Sequence, residues 1–261
     1  MYSRGCAFSS SPLPRTAAST LRSIPHGIFS LFFPADCRIC ATPLHRWTRV
    51  PVCETCLAAP RQLEAEYSCT LCLTPFANRF PLDDNGVCAA CLAGLRGYDR
   101  AACFGYYEGP LRSLVHLFKY AGMSPLAKPL GAFLDRALPI DEHFDAVVPV
   151  PLHWLKKWQR GFNQSELLAR QIAGRRGWPV LKALRRRKGA AVQATLSVAG
   201  RRRNVTGAFT AIPRTELAGK RILLIDDVLT TGATAAACAT ALKRGGAKSV
   251  SLLTLARVDR R

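Results

Sequence analysis

Four Cys-x-x-Cys pairs between Cys37 and Cys91 decide how the first part of this 261-residue chain must cohere. Cys37 and Cys40 are followed after twelve residues by Cys53 and Cys56, and Cys69 and Cys72 after fifteen by Cys88 and Cys91, so the second unit repeats the first. Two residues between thiolates form a knuckle that presents both sulfurs to one ion. Two knuckles complete a closed tetrahedral zinc site with no position left for a substrate. From Phe29 to about Tyr98 the chain is broken by Pro, Cys and Gly into short apolar pieces, so metal must supply the cohesion that a core gives elsewhere. Two structural zinc ions are expected, with pairing inside each unit as the first choice. Spacing also admits a crossed arrangement, in which Cys37 and Cys40 share an ion with Cys69 and Cys72. His45 lies between knuckles that already have their thiolates and reads as a solvated side chain. Cys6, Cys103 and Cys238 have no partner at metal spacing and read as small apolar residues.

Paired cysteines of this kind argue for metal in a reducing cytosol over disulfides, so a cytoplasmic location is expected. No apolar run approaches the roughly 18 to 20 residues needed to cross a bilayer, and no membrane span is expected. Residues 1–28 are rich in Ser, Arg, Ala and Pro and lack acidic side chains, the composition of a disordered extension; a transit peptide or an over-extended start would look the same. Lys and Arg number 37 against 17 Asp and Glu, a net charge of +20, and such a surface attracts phosphates, nucleic acid or anionic membrane.

After Tyr98 the texture changes. Ala101 to Tyr107 reads as a strand; Leu111, Leu114, Val115 and Phe118 repeat at helical spacing, as do Leu126, Leu130, Phe133 and Leu134. A buried strand at Ala146 to Val150, a helix over Gln164 to Arg176, an apolar piece at Pro179 to Leu184, a strand at Arg221 to Ile225, a helix from Thr231 to Lys243 and a strand at Ser249 to Leu255 follow. Such alternation implies a mainly parallel α/β sheet covered on both faces, with ligands beyond the carboxyl ends of its strands. The expected division is an extension at 1–28, a double zinc-ribbon module at 29–98 and an α/β domain at 99–261. Between Leu184 and Thr206 the chain is basic and without clear period, which suggests a functional loop.

The most informative segment of that domain is ILLIDDVLTTGAT, Ile222 to Thr234. Its apolar run ends abruptly in Asp226 and Asp227, and Thr230, Thr231, Gly232, Ala233 and Thr234 then open a helix. N–H groups at a helix start, aligned with its dipole, bind a phosphate; the threonine hydroxyls add donors and Gly232 allows close approach. Beside a phosphate a bare carboxylate would repel, so the aspartates suit ribose hydroxyls or a magnesium ion. The plainer account is an N-capped helix after a buried strand with two solvated aspartates.

This element resembles the phosphoribosyl pyrophosphate signature of type I phosphoribosyltransferases, and the whole chain from residue 29 resembles the ComF family of competence-associated proteins. The stretches that carry the resemblance are FFPADCRIC, YYEGPLRSLVHLFKYAG, VVPVPLH, RGFNQSELLA, QATLSVAGRRRNVTGAF and ILLIDDVLTTGAT. The resemblance implies a zinc module followed by a phosphoribosyltransferase fold, and a link to DNA uptake in natural transformation. It also implies that Asp226 and Asp227 hold ribose hydroxyls, Thr230 to Thr234 the 5-phosphate, and Val150, Pro151, Leu152 and His153 the pyrophosphate. Arg185 to Asn204 would be a mobile lid whose Arg185, Arg186, Arg187, Lys188 and Arg201 face the leaving diphosphate, although a solvated basic loop or a nucleic-acid contact reads equally well. Arg160, Asn163 and Gln164 would also line the site, with Ser165 or Asn163 capping the helix; Gln193 and Asn204 match the family without a derivable role. His116 and Lys119 flank an apolar helical face and read as solvent-exposed.

Three functions remain open, the last of them a purely structural partner of the uptake machinery, which the intact Asp226, Asp227 and threonine loop disfavours. As an enzyme, magnesium and the basic lid would neutralise pyrophosphate as it leaves the ribose, with an acceptor that the sequence does not name. As a non-catalytic adaptor, the fold would sense phosphoribosyl pyrophosphate while the zinc ribbons and basic loop bind single-stranded DNA or uptake proteins. Trp47, Trp154, Trp158 and Trp178 could then contribute stacking surfaces, although they are not clustered in the sequence.

Overall fold

The computed structural model describes residues 35–44, 49–94, 97–152, 158, 160–187 and 207–258. The expectations for residues 1–28, His45, Trp47, His153, Trp154, Lys188, Gln193, Arg201 and Asn204 fall outside this set.

The cysteine repeat is a structural repeat. Strands β1 (Ala35–Asp36) and β2 (Pro43–Leu44) pair antiparallel and lead to helix α1 (Glu54–Ala58); β3 (Tyr67–Ser68) and β4 (Pro75–Phe76) do the same before α2 (Ala89–Leu92). In both units the first cysteine N–H donates to a threonine carbonyl five residues on, Cys37 to Thr42 and Cys69 to Thr74, each at 2.9 Å. Both turns place a non-glycine residue in the left-handed region, Ala41 at φ 58° and Leu73 at φ 49°. That conformation is uncommon for a residue with a Cβ, and its recurrence at the same place marks one turn used twice.

Beyond Tyr98, β5 (Arg100–Tyr106) is followed by α3 (Gly109–Tyr120), α4 (Ala127–Arg136), β6 (Ala146–Pro149) and α5 (Gln164–Arg176). A short ribbon, β7 (Leu184–Arg186) against β8 (Phe209–Ala211), precedes β9 (Arg221–Leu229), α6 (Ala233–Arg244) and β10 (Ser249–Arg257). The four long strands form one parallel sheet in the order β5-β10-β9-β6, as the alternation of apolar runs and helices predicts. Val180 adds an isolated parallel bridge to Val147 at its edge.

Side-chain alternation divides the core in two. Leu223, Ile225, Leu253 and Leu255 face the layer formed by α3, α4 and α5; Ile222, Leu224, Val250 and Leu252 face α6 and the β7–β8 ribbon. Each expected core residue of α3 and α4 is buried. The two cysteine units straddle the sheet: Cys37 and Val52 join the α3 layer, whereas Cys69, Cys72 and Cys88 join the α6 layer. The segment between them crosses edge strand β5, where Leu63 N–H donates to Phe104 O at 2.6 Å. A Cβ on Gly105 would lie 2.7 Å from Arg61 O, so glycine is what lets this crossing segment lie against the strand and blunt its edge.

Four details depart from the sequence expectations. β9 does not stop at Ile225; it pairs with β10 through Asp226 and Val228 to Leu229, so the acidic pair sits on the strand itself. β10 in turn runs on to Arg257. The helix after the threonines opens at Ala233, with Gly232 as its N-cap at φ 76°. The basic stretch after Ala183 begins as strand β7.

Candidate functional site

The carboxyl ends of β6 and β9 bring together residues distant in the chain. Val150 N–H donates to Ile225 O at 2.9 Å, which aligns the Val150–Leu152 segment with the end of the apolar run in β9. Asn163 fastens α5 to the same place: its Nδ2 donates to Val150 O at 3.1 Å and its Oδ1 accepts from Ser165 N at 3.1 Å, so Asn163 is the N-cap. Ser165 then points its hydroxyl at Asp226, donating to Oδ1 at 3.1 Å. Asp226 Oδ1 also accepts the Asp227 backbone N–H at 2.9 Å. From the other side Lys119, at the carboxyl end of α3, places Nζ 2.9 Å from Asp227 Oδ1.

The Lys119 contact corrects the solvent-exposed reading of that lysine: only 14% of its side chain and 15% of that of Asp227 are exposed. Its position beside Phe118 on the apolar face was the one available signal, and nothing in the sequence pointed from there to Asp227. His116 is exposed, as expected. Burial pushes the Asp226 carboxyl up to about 7, helped by the like charge of Asp227; the Asp227 N–H, Lys119 and Ser165 act in the opposite direction.

After β9, Thr230 is exposed while Thr231, Gly232, Ala233 and Thr234 are half-buried. Thr231 Oγ1 accepts from Ala233 N–H at 3.3 Å, a side-chain cap on the first turn of α6. The left-handed Gly232 turns the chain from the end of β9 into α6. An anion in front of this turn meets backbone N–H groups and the positive end of the helix dipole.

Among the basic candidates, strand alternation separates neighbours. Arg185 is exposed and donates to Thr210 Oγ1 at 3.2 Å, along the ribbon. Arg186 turns inward, 5.6 Å over the Phe209 ring, and burial lowers its pKa. Arg160 stands 5.0 Å over Tyr120 and donates to Gln164 Oε1 at 3.2 Å; His116 and Tyr120 ring centroids are 4.7 Å apart. Gln164 is buried, and its Nε2 has no hydrogen-bond partner among the described residues. Pro151 and Leu152 are half-buried at the end of the Val150 segment. A groove of about 530 Å³ between the first cysteine unit and α3 carries Arg38, Arg112 and His116.

The eight cysteines gather as two tetrads within units, Cys37, Cys40, Cys53 and Cys56, and Cys69, Cys72, Cys88 and Cys91, with all sulfurs of each tetrad within 4.8 Å of one another. The crossed arrangement is thereby ruled out. Sulfur pairs within the tetrads stand at 3.6 Å (Cys40 to Cys53) and 3.8 Å (Cys69 to Cys91, Cys72 to Cys88). A Zn–S bond of about 2.3 Å implies a tetrahedral edge of about 3.8 Å, whereas a disulfide needs about 2.05 Å. These residues therefore fit a tetrahedral thiolate-bound ion. Burial raises the Cys37 thiol, but N–H groups of Cys40, Cys53 and Ile39 outweigh it and hold it at about 6; Cys69 is likewise held at about 7 by Cys72, Cys88 and Leu71. Among the described residues no helix is long and apolar enough to cross a membrane.

The family model of the phosphoribosyl transferase domain matches residues 163–261, which hold α5, the acidic pair and the threonine turn. DNA utilization protein YhgH of Salmonella typhimurium is 33% identical over 239 residues, covering 87% of this chain and 99% of that protein. Competence protein F of Haemophilus influenzae is 31% identical over 178 residues, 65% of this chain and 78% of its own length. Competence protein ComFC of Streptococcus pneumoniae is 32% identical over 165 residues, 62% and 69% of the two chains. This chain carries a cysteine-tetrad segment, then a parallel sheet and a phosphoribosyl transferase domain, and its identity to these relatives, over 99% of YhgH and 78% of competence protein F, shows that the chain belongs to the ComF family.

Proposed function

We propose that this chain binds phosphoribosyl pyrophosphate at the carboxyl ends of β6 and β9, in the service of DNA uptake. The observation that carries the reading is the acidic pair on β9 leading through the threonine turn into α6, so that hydroxyl acceptors are followed directly by a helix N-terminus. Asp226 and Asp227 accept the ribose hydroxyls, and Thr230, Thr231, Gly232, Ala233 and Thr234 take the 5-phosphate. Pro151 and Leu152 would hold the pyrophosphate, with Arg160 at the helix start and Arg185 and Arg201 of the basic stretch as its cations; Asn163 and Gln164 hold the loop and the helix start in place. Magnesium accompanies the diphosphate. Each tetrad holds one structural zinc, residues 29–98 form the zinc module and 99–261 the ligand-binding domain, in a reducing cytoplasmic setting that keeps the cysteines out of disulfides. The names of the relatives, competence and DNA utilization proteins, support the uptake role.

Calorimetric titration with magnesium phosphoribosyl pyrophosphate tests the reading. The wild type should bind, and Asp227→Asn should bind at least about tenfold more weakly, the cost of one hydrogen bond to a charged group. Absence of binding by the wild type would overturn it. Pyrophosphate release in the presence of a panel of amines and bases then separates transferase from adaptor.

The basic groove favours a second reading of the domain's partners. Arg38, Arg112 and His116, in a chain of net charge +20, suit a phosphodiester backbone, and single-stranded DNA would bind with strong salt dependence. Neutralising Arg38 and Arg112 should weaken oligonucleotide binding and flatten its salt slope by about two; an unchanged slope excludes this groove.

A further inference from the structure

We infer that Lys119 is the specificity-determining residue of the acidic pair: its ammonium keeps Asp226 and Asp227 from holding a divalent cation and leaves them as acceptors for a neutral vicinal diol. The inference rests on the ribose reading above.

Two adjacent carboxylates near a phosphate cradle are ordinarily a place for magnesium or manganese, hard cations that take oxygen ligands. Here the structure supplies a cation of its own. Lys119 Nζ lies 2.9 Å from Asp227 Oδ1, in a contact that is mostly screened from solvent. A divalent ion bridging the pair would stand within a few ångströms of that ammonium, and like charges at such spacing repel strongly where water is excluded. The lysine comes from the carboxyl end of α3, where the helix dipole favours a positive charge.

The hydrogen-bond pattern matches what remains. Ser165 Oγ, the Asp227 N–H and Lys119 Nζ all fall on an Oδ1 atom, the first two on Asp226 and the third on Asp227. Oδ2 of each aspartate accepts none of these bonds. Each carboxyl group thus keeps an oxygen that accepts none of these bonds, and two such oxygens on neighbouring residues suit two neighbouring hydroxyls, each of which donates one hydrogen bond. A diol brings no charge and does not displace Lys119, so magnesium enters the site only on the ligand's diphosphate.

The test uses manganese alone, followed by the electron paramagnetic resonance signal of the free ion, on zinc-loaded reduced protein. Wild type should show no manganese site assignable to the pair. Lys119→Met and Lys119→Gln should each gain one site, with affinity at least ~10-fold above wild type, and Asp227→Asn in the Lys119→Met background should remove it. Thermal melts of both lysine variants establish that they are folded. A wild-type site at the pair as tight as in the variants, or two folded variants that gain nothing, would overturn the inference. No sugar is present in this assay, so its outcome is separate from whether ribose phosphates bind.

Discussion

Truncating Arg257 should loosen the joint between the second cysteine unit and the sheet. This residue ends β10 with only 7% of its surface exposed, and its guanidinium forks into the knuckle at the start of that unit. Nη1 donates to Cys72 O at 3.3 Å and to Leu73 O at 2.9 Å, and Nη2 donates to Thr74 Oγ1 at 3.0 Å. Bonds from a charged donor are worth about 1.5–3 kcal/mol each when broken singly, but the three share one group and do not add. Releasing a buried guanidinium from its desolvation cost offsets part of the loss. A net loss of about 3 kcal/mol for Arg257→Ala follows, or roughly 6–12 °C in melting temperature for a domain of this size. Lysine cannot reproduce the planar fork and should recover little. Urea unfolding gives the stability change, and transfer of zinc to a chromogenic chelator gives the integrity of the knuckle. A change below about 0.5 kcal/mol, within the range of an ordinary surface substitution, together with unaltered zinc release, would refute the role assigned to this arginine.

Asp226 provides a pH test. Its carboxyl is raised to about 7 in the folded chain, so it favours folding while neutral in both states and loses that contribution as pH rises from about 4 through about 7. Melting of wild type against Asp226→Asn should therefore diverge between about pH 4 and about pH 7, with wild type losing ground as pH rises and the difference levelling off above that; a constant difference across the window contradicts the burial argument. Chelation should distinguish the tetrads, because Cys40 is exposed and Cys53 and Cys56 are half-buried, whereas Cys69, Cys72 and Cys88 are buried. Zinc should leave in two phases, the first site ahead of the second, as mass spectrometry of chelator-treated Cys40→Ser and Cys72→Ser would resolve. Gly131→Ala should separate α4 from α5, since a Cβ there would stand 2.4 Å from Gln171 Cβ; a cost of about 1–3 kcal/mol is expected in urea unfolding.

The sheet was legible because its strands are short apolar runs, and the tetrads because spacing alone makes knuckles. What periodicity could not show was how far β9 continues. Asp226 and Asp227 interrupt the apolar run, yet the strand still pairs with β10 past that point, Asp226 with Thr254, Val228 with Ala256 and Leu229 with Arg257, a matter of register between segments distant in sequence. The arginines of β7 were unreadable for a similar reason: Arg185 and Arg186, like Arg187 just after the strand, carry no apolar alternation, and only pairing with β8 reveals that Arg186 is the one turned inward. The position of Lys119 was not legible because its ion-pair partner, Asp227, lies more than a hundred residues away. Asn163 and Ser165 were both candidates for the cap of α5. Asn163 won because its amide also reaches Val150 O, which leaves the serine hydroxyl for Asp226.

The central claim is that the acidic pair reads ribose hydroxyls, and deleting one hydroxyl tests it. Calorimetry should compare ribose 5-phosphate with 2-deoxyribose 5-phosphate, on wild type and on the Asp226→Asn, Asp227→Asn double variant. A hydrogen bond to a carboxylate is worth about 1.5–3 kcal/mol, so wild type should favour ribose by ~10-fold or more while the variant binds the two sugars alike. Equal affinity of the wild type for both sugars, or no binding of ribose 5-phosphate at all, would contradict the account.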